Sequence, residues 1–250
     1  MSKVDILGVH VDNIDKDEVQ RRIEESITQN RKDVYAYVNI NAINVPRRNP
    51  RFRDILNRAS VVYCDGEGVR IGARILGVQL PPRIVLTYWV WDLCRLVEHK
   101  GFTVFFLGGT EDTIERAVKN VRDRHRRIQI VGWHHGYYQK NGAGNDKVLD
   151  MICKAKPNIL FVGFGMPMQE EWIESNLERL EANAILPSGS MIEYIAGNKH
   201  PAPLWMANHG MEWVYRLIQE PRRLMGRYLI GNPAFVFQVL LQAKKGGGHR

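Results

Sequence analysis

The chain lacks the features of a secreted or membrane-spanning protein. Only three of its 250 residues are cysteines, Cys64, Cys94 and Cys153, far apart and odd in number. This argues against a disulfide framework and favours reduced thiols in the cytoplasm. The first segment, Met1 to Val11, includes charged residues and no long apolar run, so we expect no signal peptide. No stretch approaches the roughly 18 apolar residues of a membrane-spanning helix.

Two nucleotide-binding signatures are also missing. No Gly-Lys-Ser/Thr of a Walker A loop occurs, which counts against a P-loop NTPase. Gly163 and Gly165 begin a dinucleotide-binding fingerprint, but Met168 stands in place of the third glycine and disfavours an NAD-dependent oxidoreductase. Adjacent histidines, His134 and His135, point in opposite directions on an extended segment and chelate one ion poorly. We therefore expect no metal site and no cofactor.

The charge that is present is concentrated near the C-terminal end. Hydrophobic residues make up 44% of the chain and charged residues 25%, which is typical of a globular domain with its own core. Of the net charge of +8, residues 199–250 contribute +6, with eight Lys/Arg against two acidic residues. A basic segment of this kind suits anionic lipid, phosphate ligands or nucleic acid, and charge alone does not choose among them.

Strand-like and helix-like segments alternate through most of the chain. This order predicts an α/β protein with a Rossmann-like, mainly parallel, doubly wound sheet. The predicted strands are Val4–Val11, Asp33–Ile40, Val61–Tyr63, Thr103–Leu107, Ile128–Trp133, Asn158–Gly163 and Asn183–Leu186. The predicted helices are Lys16–Gln29 with Asp15 as its N-cap, Pro50–Ala59, Glu67–Leu76, Glu111–His125, Asp146–Ala155, Pro167–Leu180 and a helix ending at Ala196.

The pattern changes after Gly197. Four prolines, Pro201, Pro203, Pro221 and Pro233, are expected to break the rest into short pieces rich in Trp, Met, Tyr and Arg. We therefore predict a core over residues 1–197 and a basic, amphipathic helical appendage over residues 198–250. Apolar and aromatic residues mixed with arginines fit a surface that docks on anionic membrane. The alternative is a terminal helical hairpin packed on the core, with its arginines solvated.

In doubly wound sheets, ligands bind beyond the carboxyl ends of the strands. This rule places five segments along one rim of the sheet: Asn39–Asn41, Asp65, Gly108-Gly109, Gly163–Gln169 and Ser188–Ser190. The glycine segments each follow a strand and open a helix, where a phosphate could approach the backbone. A strand-to-helix turn that simply needs glycine is an equal alternative.

Two polar features of this rim are candidates for chemistry. Asp65 directly follows a strand, where a carboxylate can act as a general base or can cap the next helix. Asn39 and Asn41 are two apart, so on an extended segment both amides would face one ligand. A turn with asparagine at its corners explains them equally well.

An ordered set of motifs resembles the WecG/TagA/CpsF glycosyltransferase family over nearly the whole chain. The motifs are Asn39-Ile40-Asn41-Ala42, Asp65-Gly66-Glu67-Gly68-Val69, Pro82-Arg83-Ile84, Val104–Gly109, the block from Val162 to Ile173, and the block from Gly210 to Arg223. The resemblance implies an inverting, metal-independent transferase on the inner face of the cell membrane. It also implies a nucleotide-sugar donor, a polyprenyl-diphosphate-linked acceptor and a role in cell-surface polysaccharide synthesis.

The resemblance also implies roles for individual residues. Asp65 would deprotonate the acceptor hydroxyl, while Asn39, Asn41 and Gln169 would bind polar groups of the substrates. The glycines Gly108, Gly109, Gly163 and Gly165 would approach the donor. Diphosphate charge would be stabilised by Arg83, Arg216, Arg222, Arg223 and Arg227. A UDP-sugar is the expected donor, with N-acetylmannosamine as the first sugar to test and other hexoses next.

Two matters stay open on the sequence. A non-catalytic nucleotide- or nucleic-acid-binding module is the alternative function, although a transferase needs no nucleic-acid partner. A homo-oligomer is compatible with the sequence but is not indicated by any motif.

Overall fold

A computed structural model describes residues 2–47, 49–203, 205–206 and 212–246. The motif residues Gly210 and Met211 and the last four residues, 247–250, lie outside this range. The side chains of Arg223 and Arg227 are also outside it, although their backbone belongs to a helix.

The chain begins with a hairpin and not with the single predicted strand. Strands β1 (Lys3–Ile6) and β2 (Val9–Asp12) pair antiparallel in a sheet of their own. The turn between them is made by Leu7 and Gly8, which both have positive φ. The prediction over Val4–Val11 was wrong because the buried positions change phase at this turn. Val4 and Ile6 are buried before it and Val9 and Val11 after it, so no single strand could bury all four.

Six parallel strands form the main sheet, in the order β4-β3-β8-β7-β5-β6. They are β3 (Asp33–Val38), β4 (Val61–Cys64), β5 (Thr103–Gly108), β6 (Gln129–His134), β7 (Ile159–Gly163) and β8 (Ala184–Pro187). The predicted Rossmann-like α/β fold is therefore confirmed.

Among the described residues of the core, nine α-helices connect these strands or cover them. They are α1 (Lys16–Thr28), α2 (Ile40–Asn44), α3 (Pro50–Arg58), α4 (Glu67–Ile75), α5 (Leu86–Lys100), α6 (Glu111–Arg124), α7 (Gly142–Ala155), α8 (Met168–Asn176) and α9 (Met191–Ile195). Asp15 caps α1 as predicted, accepting a hydrogen bond from the Glu18 amide at 2.9 Å. Helix α5 was not predicted, although its buried Trp89, Leu93 and Val97 follow the helical period.

The core lies on both faces of the sheet. Alternate residues of each strand point to opposite sides, so Tyr35 packs with α1, α5, α6 and α9, while Ala36 packs with the hairpin, α3 and α4. On that second face, β5, β7 and β8 pack against α7 and α8. The residues of both faces are nearly all apolar, which is why the strands read as continuous hydrophobic runs.

The C-terminal segment is more continuous than the sequence predicted. After α10 (Glu212–Gln219), helix α11 (Pro221–Gly226) runs through a π-helical turn (Arg227–Gly231) into α12 (Asn232–Gly246). Pro221 is the first residue of α11, where no N–H is needed. Pro233 follows the wider π turn, which accommodates a residue that lacks an N–H. The expected break therefore occurs at Pro221, where α10 has ended at Gln219 and a new helix begins. The expected break at Pro233 was wrong, because the helix continues through it.

One helix of this segment is long enough to cross a bilayer by length and composition. It covers Leu224–Lys245, which is 22 residues long. An 18-residue window of this helix has a mean hydropathy of 1.2, and 18% of that window is buried in the protein. This corrects the expectation that no such stretch exists. The helix also packs on the core, because Phe235 and Val239 are fully buried against α4. The Gln242 side chain accepts a hydrogen bond from the Leu7 amide at 3.0 Å.

A close approach between the backbones of two strands occurs at Gly108, at the end of β5. Its φ is +147°, and a Cβ there would lie 2.5 Å from the Gly163 carbonyl oxygen of β7. Gly108→Ala should therefore lower the free energy of unfolding by about 2–5 kcal/mol, through backbone strain and the clash together. Chemical denaturation measures this change.

The matched control for this prediction is Gly142→Ala. Gly142 also has a positive φ, +57°, but nothing lies within 4 Å of an added Cβ. The control should lose only about 1 kcal/mol. Equal losses of unfolding free energy in the two variants would show that the close approach of β5 to β7 adds no cost of its own.

Candidate active site

The strands of the main sheet end at a cleft of about 1100 Å³. Because all six strands are parallel, their carboxyl ends meet at one edge, and the residues that follow them line this cleft. They include Asn39 after β3, Asp65 after β4, Gly109 after β5 and Ser188 after β8. Most of the predicted rim of the sheet thus forms a wall of this cleft.

Asp65 lies at the end of β4, where its backbone amide donates to the Val38 carbonyl at 2.9 Å. It does not cap the following helix, because Gly66 is the N-cap residue of α4 and no side chain caps it. The Asp65 carboxylate instead accepts a hydrogen bond from the Asn39 side chain at 3.4 Å. The capping interpretation is therefore wrong, and the carboxylate faces the cleft.

The environment of Asp65 raises its pKa to about 6. Removal from bulk water is the largest cause, since burial penalises the charged form. The positive charges of Arg216 and Arg83 lower the pKa, while the negative charge of Glu212 raises it. A carboxyl balanced in this way is mostly ionised at pH 7 but holds a proton far more readily than an exposed aspartate does.

Both predicted asparagines line the cleft, although not for the reason predicted. Asn39 is the N-cap of α2, and its side-chain oxygen accepts from the Ala42 amide at 3.2 Å. Asn41 lies inside α2 and not on an extended segment, and its amide contacts the Met166 sulfur at 3.5 Å. The argument from alternation along a strand was therefore wrong.

The glycines divide into two groups. Gly109, Gly163 and Gly165 line the cleft, as the phosphate-approach hypothesis requires. Gly108 does not line it, because its place against Gly163 belongs to the packing of the sheet. The prediction that Gly108 contacts the donor is corrected accordingly.

Gln169 is fully buried and lines neither described cavity. Its side-chain oxygen accepts from the amides of Gly165 and Gly189, at 3.2 and 2.8 Å. Its side-chain nitrogen donates to the Tyr37 hydroxyl and to Glu170. The predicted direct contact with a substrate is corrected: Gln169 holds together the two loops that follow β7 and β8.

The appendage is joined to this site by ion pairs. Arg83 precedes α5 and pairs with Glu212 of α10 at 2.6 Å, with both side chains largely buried. Arg216, one turn further along α10, pairs with the other oxygen of Glu212 and lines the cleft. Arg222 is exposed on α11 and lines neither cavity, so its predicted substrate contact is not made in this arrangement. The side chains of Arg223 and Arg227 lie outside the described residues.

A second, smaller cavity of about 330 Å³ meets the cleft at Asp65. The two cavities share Asn39, Asn41, Asp65, Arg216 and Tyr228. Part of the second wall is apolar and comes from core and appendage together, with Ile40, Ile71, Trp213 and Val236. Asp65 therefore faces two adjoining spaces of different size and polarity.

Within the described ranges, no cluster of three or more His, Cys, Asp or Glu side chains could hold a metal ion. The rings of His134 and His135 stack with their centroids 4.4 Å apart, so the expectation that they point in opposite directions was wrong. The His134 Nδ1 lies 2.7 Å from the His135 carbonyl oxygen. The sequence also contains one Asp-x-Asp triplet, Asp15-Lys16-Asp17, at the start of α1. Asp15 serves there as the helix cap, and no residue of the triplet lines either cavity.

Several residues of the cleft were missed in the sequence. Tyr37 and Glu193 belong to otherwise ordinary strand and helix patterns, and Lys140 and Tyr228 lie in segments without a motif. Glu212 was named only within a motif, yet it is the carboxylate that both Arg83 and Arg216 contact. A buried acid between two arginines of distant segments leaves no local signal.

Comparison with known proteins gives one family and a consistent set of relatives. The model of the Glycosyl transferase WecG/TagA/CpsF family matches residues 4–248. Proteins of Staphylococcus aureus strains MW2 and NCTC 8325 are each 30% identical over 247 residues, which is 98% of this chain and 94% of the relative. Both are named N-acetylglucosaminyldiphosphoundecaprenol N-acetyl-beta-D-mannosaminyltransferase.

The charge balance at Asp65 predicts opposite effects of two substitutions. Arg216→Met removes the largest influence that lowers the Asp65 pKa, so the pKa should rise above about 6. Glu212→Gln removes a negative neighbour, so the pKa should fall. A carboxyl-carbon NMR titration, assigned with Asp65→Asn, measures both. Shifts in the same direction, or no shift in either variant, would contradict the balance described above.

Proposed function

The chain belongs to the WecG/TagA/CpsF family of glycosyltransferases, and from this membership we propose the reaction of its cleft. The enzyme transfers an N-acetylhexosamine, with N-acetylmannosamine as the first candidate, from a UDP-sugar to the sugar of a polyprenyl-diphosphate-linked acceptor. The names of the staphylococcal relatives support that sugar and that class of acceptor. The observation that carries the proposal is the position of Asp65, a carboxyl of raised pKa where two cavities meet.

The chemistry requires a base between two substrates. Asp65 takes the proton of the acceptor hydroxyl as that oxygen bonds to the anomeric carbon of the donor. The bond from the anomeric carbon to the phosphate oxygen breaks, and its electron pair leaves with the nucleoside diphosphate. Attack from the face opposite the leaving group inverts the anomeric centre. A β-linked product, as in the names of the relatives, agrees with inversion of an α-linked donor.

The two cavities differ as the two substrates do. The larger cleft lies along the glycine loops at the strand ends and suits a nucleotide-sugar, whose phosphates can approach the backbone. The smaller cavity has an apolar wall beside α12 and suits a lipid-linked sugar. In this assignment the acceptor hydroxyl and the anomeric carbon meet at Asp65, with Asn39 and Asn41 available to both substrates.

Positive side chains can stabilise the phosphates without a metal ion. Arg83 lines the smaller cavity, and Arg216 lines both. The Arg216 Nε is a buried donor that has no hydrogen-bond partner among the described residues. Both arginines are already held by Glu212, so they are fixed in place before a diphosphate arrives.

The appendage of residues 198–250 supports docking on a membrane surface. Its described helices leave many apolar side chains exposed: Trp213, Ile218, Met225, Leu229, Ile230, Val236, Phe237, Leu240 and Leu241. The opposite face of α12 is fixed to the core through Phe235, Val239 and Gln242, so the helix lies on the domain and does not cross the bilayer. With the basic residues beside it, this face fits the anionic inner surface of the cell membrane.

Asp65→Asn should remove turnover and leave nucleotide binding nearly intact. Loss of a general base costs about 10²–10⁴-fold in rate, while the amide keeps the shape of the carboxyl. Release of nucleoside diphosphate from UDP-N-acetylmannosamine and a short-chain lipid acceptor measures it, with EDTA present throughout. A variant that keeps the wild-type kcat, or a wild-type enzyme that EDTA inactivates until Mg²⁺ is added, contradicts the mechanism.

Two acidic substitutions on the exposed face of α12 should prevent membrane docking. Phe237 and Leu240 are 63% and 51% exposed, so Phe237→Asp with Leu240→Asp should leave the fold intact. Burial of each such side chain in lipid is worth about 1.5–3 kcal/mol, so the double variant should lose more than about 100-fold in vesicle partitioning. Sedimentation with vesicles that contain phosphatidylglycerol measures this.

The matched control is Met151→Asp, on the exposed surface of α7 and 36% exposed. It should sediment like the wild type. Unchanged sedimentation of the α12 double variant would show that the membrane surface lies elsewhere.

A further inference from the structure

The larger cleft contains a lysine that no motif singled out. Lys140 follows β6 and lines the cleft together with Gly109, Gly163 and Gly165. Its ammonium group lies 3.7 Å from the centre of the Tyr138 ring and 4.2 Å from that of the Phe164 ring. It also donates to the carbonyl oxygens of Gly136 and Tyr138. The flexible side chain is thus held in one place at the wall of the cleft.

Unlike the other cations that line the same cleft, Lys140 forms no ion pair within the described part of the chain. Lys199 pairs with Glu220 at 3.0 Å, and Arg216 pairs with Glu212. No carboxylate of the described residues pairs with Lys140, and removal from water lowers its pKa to about 8. Aromatic rings and carbonyl dipoles compensate a desolvated ammonium only in part, so a net positive charge remains at this wall.

The position of this charge identifies the kind of anion that it suits. Lys140 lines the larger cleft only, whereas Arg83 lines the smaller cavity only. The loops beside Lys140 are the glycine turns at the ends of β5 and β7, where the backbone is open to a bulky anion. A diphosphate bound along these turns would place an oxygen within reach of the ammonium.

We infer that Lys140 binds the diphosphate of the nucleotide-sugar donor and neutralises it as it leaves. The inference rests on the proposed transferase function. When the bond from the anomeric carbon to the phosphate oxygen breaks, its electron pair adds negative charge to that oxygen. An ammonium held nearby, in a site that is partly removed from water, stabilises the negative charge that develops on the phosphate oxygen. A metal ion has this role in other transferases.

The test compares a nucleoside diphosphate with its nucleoside. Isothermal titration calorimetry of the full-length protein with UDP and with uridine separates phosphate binding from base and ribose binding. Lys140→Met keeps an unbranched side chain between the two rings and removes the charge. It should weaken UDP binding by about 10- to 100-fold and leave uridine binding unchanged. Lys140→Arg, which keeps the charge, should recover most of the UDP affinity.

The matched control is Lys147→Met. Lys147 is an exposed lysine of α7, close to the same loop and outside both cavities. It should bind UDP as the wild type does, which would show that the loss in Lys140→Met is not a general effect of removing a positive charge from this region.

Three results would each contradict either the role of Lys140 or the proposed function, and the titrations with UDP and uridine distinguish them. Wild-type affinity of Lys140→Met for UDP would show that Lys140 does not bind the diphosphate, and the proposed function would still stand. Equal losses for UDP and uridine would mean that Lys140 only shapes the loop. A wild-type protein that binds neither UDP nor another nucleoside diphosphate would contradict the proposed function itself.

Discussion

Asp65 lies where burial favours its neutral form while two arginines favour its charged form. Its pKa of about 6 is the outcome of this opposition, in which Arg216 and Arg83 act against desolvation and against the charge of Glu212. The ability of Asp65 to take a proton from an acceptor depends on the same balance. A drier pocket without arginines would hold the proton permanently, and an exposed carboxylate would be too weak a base to take it. The parallel sheet supplies the position, because only its carboxyl edge brings the ends of β3 and β4 together beside a cleft.

The balance also ties the appendage to the candidate site. Glu212 and Arg216 belong to α10, whereas Arg83 precedes α5 of the core, and all three are joined through the Glu212 carboxylate. The apolar wall of the smaller cavity likewise combines Ile71 of the core with Trp213 and Val236 of the appendage. We propose that this segment both docks on the membrane and completes the smaller cavity, where the acceptor would bind. In this arrangement the same helical segment meets the lipid-linked acceptor and contributes Glu212 and Arg216, whose charges act on the pKa of Asp65.

Most of the fold could be predicted from the sequence because the spacing of its apolar residues matches the buried positions of most strands and helices. The strands of the main sheet are apolar on both faces and alternate with helices along the chain, so their parallel direction follows from local patterns. Asp65 was found for the same reason, as a polar residue directly after a buried strand. The order of the strands across the sheet was not predicted. Helix α5 was missed although its buried residues follow the helical period, so that error had a local signal. Other errors concern features that only the fold creates. The amide partners of Gln169 include Gly189, 20 residues away, and a π turn lets Pro233 continue a helix that local rules interrupt.

The central claim is that donor and acceptor occupy different cavities and meet at Asp65. The most direct measurement is a crystal structure of the Asp65→Asn protein with UDP and a short-chain diphosphate-linked N-acetylglucosamine. We expect the uridine nucleotide in the larger cleft along the glycine loops, with the lipid diphosphate near Arg83. The acceptor hydroxyl should lie about 2.6–3.2 Å from the side chain of residue 65. An acceptor hydroxyl held away from residue 65, or a nucleotide bound in the smaller cavity, would contradict the account.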